Sequence, residues 1–387
     1  MKARKCIEEL MPYGYVPGDE DIARRYGLLV SKVKRFDRNT SPGILPCVKE
    51  ELRGIAQEGI GNEYPDSRYE ELTRLIAEYS DVEPGQVVLG NGADEAIDLL
   101  TRAYLSEGGV AVASTPTFSF YKVVSEMNGG RMVEVPRESE GFSLDVEELL
   151  GVAGENDADL MFVCNPNNPT GDFTPLATIE EIAKRFGGLL AIDEAYIEFS
   201  EGGSAAGLCE KYGNVVIIRT LSKAFGLAGM RIGYLLCPKK VAEQLNKIRQ
   251  PYNINPVSER LAIAALSNTQ EMRENVDALV GERNRIASSL GEMGFGVFPS
   301  STNFLLVKVA DAQGAFDRLI RKGLVVRKME GVLEGILRIT VRGKEDNDLL
   351  LAELAREKGA GTKNVRKGAS GEGIMGAQMP AGEEGSA

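Results

Sequence analysis

The residues best placed to do chemistry in this chain gather around one lysine. In Thr220-Leu221-Ser222-Lys223-Ala224-Phe225-Gly226, continued by Leu227-Ala228-Gly229-Met230-Arg231, Lys223 comes just after the apolar, β-branched run Val215-Val216-Ile217-Ile218. That run reads as a buried strand. The lysine then stands where a strand has just ended, which is where open α/β sheets keep their ligands. An ammonium stripped of water there gives up its proton more readily and becomes a nucleophile toward an aldehyde. The hydroxyls of Thr220 and Ser222 and the guanidinium of Arg231 suit a phosphate dianion, which takes several donors and a planar cation. One lysine in a loop is weak evidence alone, because a solvated surface lysine is the commoner meaning of a Ser-Lys pair.

Three further segments change that balance. Leu189-Leu190-Ala191-Ile192-Asp193-Glu194-Ala195-Tyr196 puts a carboxylate straight after buried-strand residues. A carboxylate at such an edge needs a cationic partner, and Tyr196 adds a hydroxyl beside it. Val87-Val88-Leu89-Gly90-Asn91-Gly92-Ala93-Asp94 reads as a strand and a glycine turn opening a helix, where backbone amides can approach a phosphate. Leu160-Met161-Phe162-Val163 runs into Cys164-Asn165-Pro166-Asn167-Asn168-Pro169-Thr170-Gly171, a loop fixed by its prolines and asparagines. Each alone fits an ordinary turn. Taken together they call for an aldehyde at Lys223, a phosphate at Ser222 and Arg231, and a protonated ring nitrogen at Asp193. Pyridoxal 5′-phosphate (PLP) carries all of these, and its protonated ring is an electron sink.

In their order and wording the four segments resemble the class I/II aminotransferase branch of the fold-type I PLP enzymes. They are most similar to its histidinol-phosphate aminotransferase members, as is the opening Met11-Pro12-Tyr13-Gly14-Tyr15-Val16-Pro17-Gly18. The resemblance runs from about Leu10 to about Leu354. It implies that Lys223 forms a Schiff base with PLP and shuttles the proton, that Asp193 pairs with the ring nitrogen, and that Tyr196 and Asn168 bind the ring hydroxyl. It places Gly92, Ala93, Asp94, Ser222 and Arg231 around the phosphate and stacks Phe118 on the ring. Tyr64 matches a tyrosine that reaches the phosphate of the partner subunit, which implies a homodimer with a shared site. Arg338 matches the arginine that holds the substrate's anionic group, Arg327 a second substrate arginine, and Tyr13 and Asn39 also fall on the substrate side. The implied reaction moves an amino group between a phosphorylated amine, histidinol phosphate or similar, and 2-oxoglutarate.

One stretch departs from the family. Relatives usually carry an Ala-Asn-Glu-like motif where this chain has Phe36-Asp37-Arg38-Asn39-Thr40-Ser41-Pro42. Asn39 is kept, the glutamate is missing and Arg38 adds a cation, which points toward a more anionic substrate. A threonine-phosphate decarboxylase-like lyase shares the asparagine-proline loop and the lysine loop. The Asp-Glu-Ala-Tyr and Ser-Lys-Ala-Phe segments favour the aminotransferase over it. A non-catalytic PLP-binding regulatory module is a third class, and it would carry a DNA-binding domain ahead of this fold.

Composition narrows the field. Of 387 residues, 43% are hydrophobic and 26% charged, ordinary for a soluble globular protein. The net charge of −12 argues against a nucleic-acid partner, so an anionic substrate must be drawn in by local arginines. The chain has no histidine, which removes Ser-His-Asp and Cys-His catalysis and the usual zinc sites; no metal is expected. Lysine can do the acid–base work instead. Five cysteines with no C-x-x-C read as reduced thiols filling the core of a cytoplasmic protein. No run approaches membrane-spanning length.

The elements that must position these groups follow. From about Cys47 to Pro238, strand and helix patterns alternate, the mark of an α/β domain with a mainly parallel central sheet and helices on both faces. The expected organisation is an N-terminal arm with part of the small domain (1–45), a large PLP-binding domain (46–245), a smaller α+β domain (246–357) and a disordered tail (358–387). The tail has too few large apolar residues to order itself. This is the PLP-transferase fold type I that the resemblance implies.

Overall fold

The computed structural model describes residues 2–11, 14 and 16–366. Its strands are β1 (Lys34–Phe36), β2 (Val87–Asn91), β3 (Val110–Thr115), β4 (Arg131–Pro136), β5 (Leu160–Cys164), β6 (Leu189–Asp193), β7 (Val215–Thr220), β8 (Ile232–Leu236), β9 (Gly296–Val297), β10 (Phe304–Lys308), β11 (Leu324–Lys328) and β12 (Ile336–Thr340). Seven of them form one sheet in the order β2-β8-β7-β6-β5-β3-β4. All its neighbours pair in parallel except β8, which runs antiparallel to both β2 and β7.

The central strands are apolar runs rather than alternating ones, as strands covered on both faces must be. Every residue of β5, β6 and β7 is buried. Successive side chains point to opposite faces, and the two faces feed separate cores. Met161, Val163, Leu190, Ile192 and Ile217 join one cluster, while Leu160, Phe162, Ala191, Val216 and Ile218 join the other. Because β2, β3, β5, β6 and β7 share one direction, Asn91, Thr115, Cys164, Asp193 and Thr220 all end at the same edge of the sheet. Four of the motifs read from the sequence therefore share one place.

The second sheet has the order β1-β11-β12-β10-β9, parallel only between β1 and β11. Leu305, Val307, Leu337 and Ile339, which share one face of it, belong to the same core cluster as Ile192 and Ile217, so the two sheets close on shared apolar contacts. In its register Arg338 on β12 stands opposite Arg327 on β11 and Leu306 on β10.

The last helix, Lys344–Arg366, is docked by buried Leu350, Leu351 and Leu354. It continues through residues 358–366, where the sequence reading begins a disordered tail. Once a helix is docked, each added residue needs only its own local hydrogen bond. The rest of that tail lies outside the described residues. Among the described residues no helix is long and apolar enough to cross a membrane, and no group of three or more His, Cys, Asp or Glu could hold a metal.

One close approach holds the glycine turn against the sheet. Helix Gly92–Tyr104 begins directly over β8, and a Cβ on Gly233 would lie 2.3 Å from both Ala93 N and Gly92 C. Backbone atoms cannot swing away as a side-chain end can. Gly233→Ala is therefore expected to destabilise the protein by about 1–3 kcal/mol and to weaken PLP binding, measured by denaturant unfolding and cofactor titration. An unchanged unfolding midpoint would contradict this packing.

Candidate active site

Lys223 sits in the loop that leaves β7, flanked by Ser222 and by buried Ala224 and Phe225. The loop is braced locally. Thr220 Oγ1 donates to Ser222 Oγ (2.9 Å) and accepts from Ser222 N (3.1 Å), and Leu221 N donates to Ile232 O across to β8 (3.0 Å). Lys223 keeps some exposure. Even so, desolvation, reinforced by the nearby Arg338 and Arg231 cations, lowers its pKa from 10.5 to about 8, against the opposing pull of Asp94 and Asp193. Its Nζ lies 5.5 Å from the centroid of the Tyr196 ring.

Asp193 closes β6 and is 3% exposed. Its Oδ2 accepts from Tyr121 OH (2.6 Å) and its Oδ1 from Ala195 N (3.0 Å). Burial raises its pKa to about 6, and these two neutral donors oppose the rise. The turn behind it is anchored by a buried ion pair: Arg219 Nε and Nη2 donate to Glu194 Oε2 at 3.0 and 2.8 Å. Ser204 Oγ also donates to that oxygen (2.8 Å) and Ala205 N to Oε1 (2.6 Å), so the charge is well met.

The asparagine-proline loop is wired side chain by side chain. Asn165 Nδ2 donates to Thr174 O (2.9 Å), and Thr174 N returns a bond to Asn165 Oδ1 (2.8 Å). Asn167 Nδ2 donates to Pro116 O (2.9 Å) and to Thr170 Oγ1 (2.5 Å), and its Oδ1 accepts from Thr117 Oγ1 (2.8 Å). Buried Arg137 ties down Asp172 at 2.7 Å. With its neighbours committed in this way, Asn168 is left to face the site. Its Oδ1 accepts from Arg338 Nη1 (2.6 Å).

At the phosphate end, Gly92, Ala93 and Asp94 open a helix that has no side-chain cap, which leaves its first amides for an anion. Gly92 has φ +82°, and a Cβ there would lie 2.3 Å from Arg231 Nη2, so only glycine lets the guanidinium rest against the helix start. Arg231 Nη2 also donates to Asp94 Oδ2 (2.7 Å). Phe118 follows β3 and meets Tyr121 edge-on, with centroids 5.5 Å apart.

The small sheet brings Arg338 and Asn39 to the site. Arg338 Nη2 donates to Asp37 O (2.8 Å), and its guanidinium lies 5.4 Å from the Phe304 ring centroid. Asn39, buried with φ +52°, is a joint between the sheets. Its Nδ2 donates to Tyr196 OH (3.1 Å), its Oδ1 accepts from Thr340 Oγ1 (3.0 Å), and its carbonyl accepts from Asn303 Nδ2 (3.0 Å). Both ends of that amide are thus used within the protein. Arg38, the added cation, is exposed with Nη2 3.7 Å from Asp19 Oδ1, so its charge is partly answered on the surface. Arg327 is exposed at a cavity of about 280 Å³ that Val16, Pro17 and Arg35 also line. Tyr64 is 81% exposed and stacks on Tyr252 at 4.8 Å. Tyr13 lies outside the described residues.

The sequence reading missed Tyr121 and the Arg137–Asp172 brace. Tyr121 falls within the helix Phe120–Met127, where an aromatic at helical spacing reads as core filler. Only the fold reveals its hydroxyl on Asp193.

These groups fit PLP. A buried acid whose two donors are neutral has room for a cation. An uncapped helix start with an arginine against it suits a phosphate, and a lysine of lowered pKa between them suits an aldehyde. Comparison with known proteins agrees. Residues 31–354 match the family model for aminotransferase class I and II. The chain is 38% identical over 323 residues to the histidinol-phosphate aminotransferase of Thermoanaerobacter sp. (strain X514), covering 82% of this chain and 91% of that one. It superposes with TM-score 0.84 and 28% identity on the Sinorhizobium meliloti histidinol-phosphate aminotransferase crystallised with pyridoxal-5′-phosphate, covering 92% of this chain and 98% of that one. It shares its fold with the L-threonine-O-3-phosphate decarboxylase of Porphyromonas gingivalis, at TM-score 0.70 and 20% identity, over 82% of this chain and 100% of that one. The chain belongs to the class I and II aminotransferases, PLP-dependent enzymes of fold type I.

Proposed function

We propose that this enzyme exchanges an amino group between a phosphorylated amine of the histidinol phosphate type and 2-oxoglutarate, with Lys223 holding the PLP aldehyde and carrying the proton. The observation that carries the reading is Arg338 of the small sheet brought to Asn168 and Lys223, beside Asp193 at the end of the large sheet's strands, in a chain 38% identical to a histidinol-phosphate aminotransferase. PLP, when bound, supplies a ring into which the electrons of a broken Cα bond can spread. Asp193 keeps the ring nitrogen protonated. Tyr196 and Asn168 would hold the ring oxygen, Phe118 would stack on the ring, and the amides of Gly92–Asp94 would hold the phosphate with Ser222 and Arg231. Lys223, its pKa lowered to about 8, would be the base that takes the proton from Cα and the acid that gives it back.

Arg338 is the cation for the anionic group of either substrate. It stands within reach of Asn168 and repels Lys223, which ties substrate charge to the lysine's basicity. Arg327, its cross-strand neighbour, is the second cation. Tyr64 acts in trans in a homodimer. A stacked and exposed Tyr64–Tyr252 pair suits a partner surface better than water.

Purified protein with histidinol phosphate and 2-oxoglutarate is expected to form glutamate. Carbon dioxide released from O-phosphothreonine, without glutamate formation, would replace this reading with the decarboxylase. Lys223→Ala is expected to lower amino transfer by about 10²–10⁴-fold or more, and normal turnover in that variant would overturn its role. A lysine of pKa about 8 gains nucleophilicity as pH rises through that value, so capture of PLP by the cofactor-free protein should rise with a midpoint near 8. Arg338→Ala removes a repelling cation, which raises the lysine's pKa and moves that midpoint upward. A midpoint that stays in place or falls would show that Arg338 does not act on Lys223.

A further inference from the structure

Asp193 poses a problem that the cofactor alone does not solve. The carboxylate is almost wholly buried and closes a strand whose every residue is buried. Such a group tends to take up a proton and become neutral. A neutral acid cannot pair with a pyridinium, so the ring nitrogen would lose its proton as well. Something in the protein must favour the charged form before the cofactor arrives.

The groups that face Asp193 are few. Lys223 favours its charge, Asp94 opposes it from the helix start, and Cys164 and Tyr196 lie near it as neutral side chains. Two groups touch it: the Ala195 amide, and Tyr121 from a different element, helix Phe120–Met127. The Tyr121 bond is the shorter at 2.6 Å, in the range of hydroxyl bonds to an ionised acceptor. The phenol is also rigidly seated. Tyr121 is 0% exposed, its ring stacks on Phe162 at 4.6 Å with 1° between the planes, and Phe118 meets it edge-on at 5.5 Å. Burial and the adjoining carboxylate raise its pKa well above the usual tyrosine value, so it remains a donor.

We infer that Tyr121 is a positioning residue for the cofactor's ring nitrogen: its hydroxyl holds the Asp193 carboxylate ionised and aimed at the ring plane, while its own ring backs Phe118. This rests on the reading that Asp193 pairs with that nitrogen. The Tyr121 hydroxyl belongs to the site although it touches no reacting atom.

The test uses the full-length chain freed of cofactor and pyridoxamine 5′-phosphate as the probe, which has no aldehyde for Lys223. Affinity is titrated across pH for wild type, Tyr121→Phe, Asp193→Asn and the double variant. Tyr121→Phe should weaken binding about 10- to 100-fold, the range for one hydrogen bond to a charged group. It should also move the acid-side loss of affinity, set by Asp193 near pH 6, upward toward neutrality. In the Asp193→Asn background the same change should have little further effect, because the two act through one interaction. Phe162→Leu, which unseats the ring without touching Asp193, should move the midpoint the same way by less, and it carries the test if Tyr121→Phe fails to fold. Unchanged affinity and midpoint in these variants, or an equal loss in both backgrounds, would overturn the inference. An Asp193→Asn variant that binds as tightly as wild type would instead overturn the pairing of Asp193 with the ring nitrogen.

Discussion

Asp193 lies at the end of a fully buried strand, and burial lifts its pKa to about 6 while two neutral donors restrain it. At neutral pH that balance leaves a charged carboxylate inside the protein with its compensation incomplete. Burying an ion is expensive unless it is paired. A cation at the carboxylate would complete that compensation, and a pyridinium, as proposed, would supply one. On that proposal the cofactor would complete an arrangement that the fold leaves short of one positive charge. The remaining groups take their places from that fixed point.

The sheet turns one strand end into a site. Five strands sharing a direction bring a glycine turn, an asparagine loop, an acid and a lysine to one edge. Side chains that never meet substrate hold the loops. Arg219 grips Glu194 behind Asp193, and Arg137 grips Asp172 behind Asn168. The second sheet then closes the mouth through two residues of one strand. Arg338 reaches Asn168, while Thr340 fixes Asn39 beneath Tyr196. A shift of that sheet would move both Arg338 and Tyr196. An anion taken up at Arg338, as proposed, would then have a direct mechanical route to Asn168 and to the basicity of Lys223.

Much of this was legible before any coordinates. Lys223, Asp193 and the two loops follow runs such as Val215–Ile218 and Leu160–Val163, and a change from continuous apolar to polar residues marks a strand end whatever the fold. Other features were hidden because they arise from pairings distant in sequence. Asn39 meets Thr340 across most of the chain, and nothing near residue 39 announces it. Tyr121 carries the spacing of a core aromatic, and its hydroxyl matters only because β6 ends beside it. Arg38 reads as an added cation in the substrate motif, yet its guanidinium lies by Asp19, a partner that spacing alone does not reveal. The helix that runs to Arg366 extends into a stretch whose composition reads as tail, because docking at Leu350 and Leu354 lies upstream of it.

The charge on the bound cofactor's ring nitrogen is the most direct measure of whether Asp193 does what its surroundings require. Nitrogen-15 NMR of the full-length protein loaded with ring-labelled PLP reads that state at neutral pH. The shift of a protonated pyridine, lost when Asp193 is replaced by alanine, is the expected result. A neutral pyridine shift in the unaltered protein would contradict a carboxylate kept ionised to hold it.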